Sequence, residues 1–195
     1  MKTILLMRHS IPSKDKLSEE GILLTEKVKT SVHEKYQNVY SSPIARAYET
    51  AQFFSSNVQV IPDLKEREIG IAKEDFWLKQ YQNYNYKNQD GESLNETKLR
   101  MRHAIDFILK QMSEDSCSLV ISHATAICAY LSNYCIVNVI DANNKTRNVI
   151  FGGKEIFIDN LYYTSYFVLK FNGTDLVDIT YHCNKSFLND FSCNN

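Results

Sequence analysis

Ile4-Leu5-Leu6-Met7-Arg8-His9-Ser10 near the start of the chain and Leu119-Val120-Ile121-Ser122-His123-Ala124 in its second half share one build, an apolar run of strand length that ends at a histidine. Such runs suit strands buried on both faces of a parallel sheet. Open α/β sheets bind their ligands at the carboxyl ends of those strands, so each histidine is expected where a ligand would sit. Beside the first, Arg8 places a guanidinium suited to phosphate next to a ring nitrogen able to attack phosphorus. Phosphate chemistry is the leading idea from these two segments.

The chain has 195 residues, 44% of them hydrophobic, and no Pro/Gly/Ser-rich linker. One domain over residues 1–195 is therefore expected. With a net charge of -1 it lacks the basic field that draws nucleic acid or anionic membranes. Arg8, His9 and Ser10 cut short an apolar start that would otherwise pass for a secretory leader, and no run approaches the roughly 18 apolar residues needed to cross a bilayer. Five cysteines (Cys117, Cys128, Cys135, Cys183 and Cys193) include no C-x-x-C pair. They read as buried free thiols of a cytoplasmic protein, and no zinc pattern is present.

Lys2 to Met7 reads as the first strand, and Leu17-Ser18-Glu19-Glu20-Gly21 opens a helix with Ile22, Leu23, Val28 and Val32 on its apolar side. Asn38 to Ser42 is a short strand, followed by a helix from Pro43 to about Phe54 that carries Arg46 in its first turn. Val58 to Ile61 forms a third strand, stopped by Pro62. Between Gly70 and Gly91 the periodicity fades among Phe76, Trp77, Tyr81, Tyr84 and Tyr86, and residues 71–92 read as an insertion able to cover a site. Ser93-Leu94-Asn95-Glu96 is a capping box for a long helix offering Leu99, Ile105, Phe107, Ile108 and Met112 to the core. Another helix follows His123, from Ala124 to about Tyr134. The last third turns β-rich at Ile156 to Ile158, Tyr162 to Phe171 and Leu176 to Tyr181, the last two joined as a hairpin at Asn172-Gly173. The expected fold is a three-layer α/β/α sandwich with a mostly parallel sheet and a C-terminal β-hairpin.

Taken in order, Arg8-His9-Ser10, Leu17-Ser18-Glu19-Glu20-Gly21, Ser41-Ser42-Pro43-x-x-Arg46-Ala47-x-x-Thr50-Ala51, Leu64-x-Glu66-x-x-x-Gly70, Gly91-Glu92-Ser93 and Ser122-His123-Ala124 resemble the motifs of the histidine phosphatase superfamily, which includes phosphoglycerate mutases. The motif around Arg46 is the most specific, and the set covers most of the chain. The resemblance implies a phosphoglycerate mutase-like fold. It also implies a phosphomonoesterase in which His9 is the nucleophile and forms a phosphohistidine. Arg8, Arg46 and His123 would surround the phosphate, with Ser10 and Ala124 as further substrate contacts. Glu66 would be the proton donor and acceptor, with Glu68 as the competing choice. Neither metal nor cofactor is implied, because arginine and histidine supply the positive charge. Only six of the 22 basic residues are arginines, and finding two of them in these motifs favours a chosen geometry.

A histidine outside such motifs is more often a structural group than a nucleophile, and His33, His103 and His182 are read that way. Arg67, Arg100 and Arg102 are read as solvated charges, Glu92 as a helix-start acid, and Trp77 with its neighbouring tyrosines as packing. Serine at position 10 and alanine at 124 replace two family glycines, and Ser10 is expected to crowd or re-aim the loop after the nucleophile. The partner expected is a small phosphorylated substrate, with a homodimer left open. Small size favours a phosphatase over a mutase-type phosphoryl transfer, and a non-catalytic phospho-ligand-binding protein is the rival from another class. No G-x-G-x-x-G follows a strand, so a dinucleotide-binding reading is dropped.

Overall fold

Alternation along the first strand decides how the layers stack. A computed structural model describes residues 1–183 together with Lys185 and Phe187, and Cys193 lies outside the described residues. In β1 (Lys2–Arg8), Ile4 and Leu6 join one core cluster while Leu5 and Met7 join another. A strand with both faces apolar needs cover on both sides, and the rest of the chain supplies it.

The remaining elements follow in order. A small hairpin, β2 (Pro12–Ser13) and β3 (Lys16–Leu17), leads into α1 (Glu19–Ser31), β4 (Asn38–Ser41), α2 (Ala45–Gln52) and β5 (Val58–Val60). After a 3₁₀ turn (Pro62–Leu64) come α3 (Phe76–Gln82), α4 (Leu94–Gln111), β6 (Cys117–Ser122) and α5 (Ala124–Leu131). The chain ends in β7 (Ile136–Asp141), β8 (Thr146–Phe151), β9 (Lys154–Asp159), β10 (Tyr166–Asn172) and β11 (Asp175–His182). The main sheet has the order β11-β10-β1-β6-β4-β5. Its last four strands are parallel, and the C-terminal hairpin adds two antiparallel strands beside β1. Leu24 and Val28 of α1 and Ala47 and Ala51 of α2 cover one face, while α4 and α5 cover the other.

Several expectations need correction. In α1 the buried stripe is Gly21, Leu24, Thr25 and Val28, whereas Ile22 and Leu23 face water. In α4, Leu99 and Phe107 are exposed, and Met101, Ala104, Ile105, Ile108 and Leu109 hold the core. The capping box at Ser93 forms as expected, with Ser93 Oγ accepting from Glu96 N at 3.1 Å and Glu96 Oε2 from Ser93 N at 2.7 Å. Helix α2 begins at Ala45 rather than Pro43, because Ser42 Oγ accepts the Ile44 N–H ahead of the helix. The largest addition is a separate antiparallel sheet, β7-β8-β9, in a stretch where the sequence suggested strand only at Ile156 to Ile158. Its Val137, Val149 and Phe157 pack with Phe167 and Phe171 of β10. Of the cysteines, Cys128 and Cys135 are buried and free, while Cys117 and Cys183 are half-buried and free. Among the described residues no helix is long and apolar enough to cross a membrane.

One close approach ties the fold to the segment after His9. A Cβ on Gly21 would stand 2.1 Å from the Ile11 carbonyl oxygen, and the Gly21 carbonyl accepts the Ser10 hydroxyl at 2.8 Å. Gly21→Ala should therefore lower stability by about 1–3 kcal/mol, the usual range for forcing atoms into a packed site. Urea denaturation of the two proteins checks this, and an unchanged midpoint would contradict the close packing described.

Candidate active site

The register of the parallel strands assembles the site. Arg8 of β1 pairs with Ser122 of β6, so His9 and His123 leave adjacent strand ends side by side. Their rings meet edge to face with centroids 4.9 Å apart. On the far side of β6, Ser41 of β4 pairs with Ile121, which brings Ser42 against His123 with Oγ 2.8 Å from Nε2.

His9 is buried, and its Nδ1–H donates to the Ser10 carbonyl at 2.7 Å. That bond fixes the neutral tautomer with its lone pair on Nε2. Arg46, from the first turn of α2, donates from Nε to that Nε2 at 3.1 Å. Burial, followed by the nearby charge of Arg8, lowers the His9 pKa to about 3 against the pull of the Ser10 carbonyl. The ring is thus held as a neutral base.

His123 is fully buried, and burial followed by His9 and the arginines holds its pKa well below the ordinary value. Ser42 Oγ already accepts from Ile44 N at 3.2 Å. No other acceptor reaches this buried hydroxyl among the described residues, so its hydrogen goes to His123 Nε2, which leaves the ring proton on Nδ1. That Nδ1 is a buried group without a partner among the described residues, on a ring packed against His9.

Glu66 lies in the loop after the 3₁₀ turn, and its carboxylate meets the start of α5. Oε1 accepts from Ala126 N at 2.9 Å and from Arg67 N at 2.8 Å, while among the described residues Oε2 accepts only from Thr125 N at 3.3 Å. A carboxylate suits the partial positive charge of a helix N-terminus. Two further contacts hold this loop. Ser122 Oγ donates to the Leu64 carbonyl at 2.8 Å. Arg100 grips both carboxylate oxygens of Glu92 at 2.6 and 2.7 Å while donating to the carbonyls of Asp63, Lys65 and Glu66. Burial alone would raise the Glu92 pKa, but the Arg100 fork, Thr97 and the Glu68 N–H together outweigh it and hold the group below its ordinary value. Glu68, the competing choice, points to solvent and pairs with Lys65.

Arg8, Glu66 and Ala124 line a cleft of about 700 Å³, joined by residues of α3 and of the β7-β8 loop. Arg8 donates to the Leu161 carbonyl and stacks 3.8 Å from the ring centre of Tyr163, whose ring lies 5.7 Å from that of His9. Burial makes the Arg8 charge costly, and Arg8 Nε is buried without a partner. The Ser10 side chain is fully buried and turned toward α1, and its N–H donates to Thr50 Oγ1 at 3.0 Å. Both donors are used inside the protein.

Arg67 and Arg100 are likewise not solvated surface charges. Arg67 is buried with Nε donating to the Glu92 carbonyl at 2.6 Å and lines the cleft, while Arg100 clamps the Glu66 loop. Arg102 alone fits the solvated reading, near Asp106. His33, His103 and His182 lie on the surface, away from the site. Arg147 of β8 went unread in the sequence. It is buried, lines the same cleft and donates from Nε to Tyr81 Oη at 2.8 Å. Gly152-Gly153, a two-residue turn like those that mark hairpins, was the signal that could have revealed its strand.

A family model described as histidine phosphatase superfamily (branch 1) matches residues 7–144. The chain belongs to that superfamily. Among solved structures, a mycobacterial glucosyl-3-phosphoglycerate phosphatase bound to inorganic phosphate aligns with a TM-score of 0.67 at 15% identity, covering 94% of this chain and 96% of that one. A phosphoserine phosphatase from Entamoeba histolytica, in complex with phosphoserine, aligns at 0.59 and 18%, covering 83% and 98%. YhfR of Bacillus stearothermophilus aligns at 0.62 and 16%, covering 94% and 96%. At such identities the likeness is one of fold. No curated protein sequence matches the chain.

Two buried neutral histidines make stability depend on pH in a defined direction. Folded His9 stays neutral down to about pH 3, whereas an imidazole in the unfolded chain protonates near its ordinary value of about 6.5. Unfolding therefore takes up protons across that window, and stability falls as pH drops below the unfolded value. The slope reaches about 1.4 kcal/mol per pH unit for each such histidine. His123 acts in the same direction. Urea melts between pH 7 and pH 5 check this, and His9→Gln should flatten part of the slope; equal stability across the range would refute it.

Proposed function

We propose that this protein hydrolyses the phosphomonoester of a small metabolite through a phosphohistidine formed on His9 Nε2. One observation carries the reading. A neutral imidazole, oriented by a bond from its Nδ1, has its reactive nitrogen within reach of the Arg46 guanidinium and packs against a second histidine with an unused donor. The superfamily membership and the phosphatase names of two structural neighbours support the same reaction class.

Binding of a phosphate dianion would draw the Arg46 fork from Nε2 onto phosphate oxygens, freeing the lone pair. Arg8 and the His123 Nδ1–H would take further oxygens, so positive charge and donors surround the three equatorial positions. Nε2 then bonds to phosphorus as the ester P–O bond breaks, and the leaving alkoxide takes a proton from the Glu66 carboxyl. The Nδ1–H bond to the Ser10 carbonyl steadies the positive charge that appears on the ring. In the second half, water gives its proton to the Glu66 carboxylate, its oxygen bonds phosphorus, and the P–N bond breaks to return neutral His9. Glu66 Oε2, with its single 3.3 Å contact, is the oxygen free to exchange the proton. Arg100, Ser122 and the start of α5 position that carboxylate for both steps.

Hydrolysis of para-nitrophenyl phosphate with a chelator present tests the reading. The wild-type protein should turn over, His9→Asn should lose about a thousandfold or more in kcat, and Glu66→Gln about a hundredfold or more. Turnover that survives in His9→Asn, or that the chelator abolishes, would refute the route. If phosphate is trapped on His9 without net hydrolysis, the reaction is a mutase-type transfer instead.

A further inference from the structure

Residues 161–165, between β9 and β10, close around Arg8. Thr164 N donates to the Arg8 carbonyl at 3.1 Å and to the His9 carbonyl at 3.4 Å, while the Arg8 N–H donates to the Ser165 carbonyl at 3.0 Å. The Arg8 side chain donates from Nη1 to the Leu161 carbonyl, and the Tyr163 ring covers its guanidinium with 3.8 Å between ring centre and carbon. The same ring lies 5.7 Å from the imidazole of His9. One short segment thus holds both the backbone and the head of the residue beside the nucleophile.

That segment is held at a cost. Ser165 N donates to the Tyr162 carbonyl at 3.3 Å, which closes a β-turn with Thr164 at its third position and φ of 59°. Such a turn calls for glycine or asparagine there, and a β-branched residue at positive φ is an outlier. Thr164 is nonetheless buried, and its N–H is the group that reaches the two carbonyls. Strain of this kind collects at active sites, where the surrounding structure enforces it. What the turn delivers is the Tyr163 ring, laid flat over Arg8.

Among the described residues the guanidinium touches the Leu161 carbonyl and the Tyr163 ring, and its Nε is left without a partner. A carboxylate in the place of the ring would pair with the guanidinium and compete with phosphate. An aromatic face favours the cation through its quadrupole. It does so from above, whereas the N–H groups lie in the guanidinium plane and stay open to a ligand.

We infer that Tyr163 is a positioning residue of the proposed phosphate site, its ring acting as an uncharged counter-face that aims the Arg8 guanidinium at phosphate without occupying its donors. The inference rests on the phosphate site proposed at His9 and specifies what keeps one of its arginines in place and unpaired by an acid.

Tyr163→Leu and Tyr163→Phe test it, with para-nitrophenyl phosphate as substrate and inorganic phosphate as competitive inhibitor. Tyr163→Leu should raise KM and the inhibition constant for phosphate by about three- to thirtyfold, the span expected of a desolvated cation–π contact. Its kcat should fall by less, since the contact serves bound substrate and transition state alike. Tyr163→Phe, which keeps the ring face, should recover most of the loss. A rise of less than about threefold in Tyr163→Leu, or a loss confined to kcat, would overturn the inference and leave the proposed hydrolysis standing. So would a Tyr163→Phe protein as impaired as Tyr163→Leu, because the hydroxyl would then carry the effect. Thermal melts identify a variant that fails to fold, and Tyr163→Met then replaces Tyr163→Leu. If neither folds, the ring is a packing group and the inference fails. If the wild-type protein turns nothing over, calorimetric titration with inorganic phosphate decides. Binding weakened by the same factor in Tyr163→Leu, and recovered in Tyr163→Phe, would support the positioning role while the hydrolysis reading fails. Equal binding, or none by the wild-type protein, would overturn it.

Discussion

Everything at the site depends on the parallel register of three neighbouring strands, β1, β6 and β4. Pairing Arg8 with Ser122 and Ser41 with Ile121 places His9, His123 and Ser42 in one row at the carboxyl ends. A slip of one residue would turn each strand's side chains to the opposite face, and the two core clusters would exchange their apolar residues. The packing that fixes the register is therefore what fixes the chemistry. Ile4, Leu6 and Val120 on one face, and Leu5, Met7, Leu119 and Ile121 on the other, are all fully buried. With apolar residues on both faces, polarity alone does not choose the register, and the close-packed fit of each side chain in its own cluster does.

That double-sided burial also explains which parts of the molecule were legible from the sequence. The strand runs ending in His9 and His123, the capping box at Ser93 and the Asn172-Gly173 hairpin each carry their signal locally, and the structure places them accordingly. Arg8, His9, Arg46, Glu66 and His123 were singled out because they stand in motifs, and the fold brings these five together near the ends of the central strands. The direction of Ser10 was not legible. It depends on the Gly21 carbonyl, 11 residues away on another element. Ile22 and Leu23 misled for a related reason, since apolar residues next to a buried stripe cannot be told from it by spacing alone. Arg67, Gln80 and Arg147 were hidden more deeply, because each gains meaning only when the loop after the 3₁₀ turn, α3 and β8 meet around one cleft.

The distribution of arginine shows a second constraint. Lysine supplies the general surface charge, whereas five of the six arginines lie at the candidate site or in its support. Arg8, Arg67 and Arg147 line the cleft, Arg46 bonds His9, and Arg100 holds the Glu66 loop. Lysine would not serve equally in these places. A guanidinium can spend one edge on the protein and keep another for a ligand, while an ammonium acts as a point charge. Arg100 shows the limiting case, with every bond spent on the protein, so that it orients Glu66 rather than touching a ligand.

These arrangements impose a cost that the rest of the fold must offset. Two histidines held neutral, an orphan donor on His123 and unpartnered guanidinium nitrogens on three arginines each disfavour the empty folded state. A molecule selected for stability alone would fill such positions with apolar side chains. Grouped around one cleft, these groups suit the anionic substrate proposed above. Preorganisation of this kind lowers the reorganisation needed when charge builds on phosphorus and its oxygens. The cost to the folded protein and the proposed binding of a charged ligand would then be one property seen from two sides, and the buried apolar layers above and below β1 are what allow the fold to carry it.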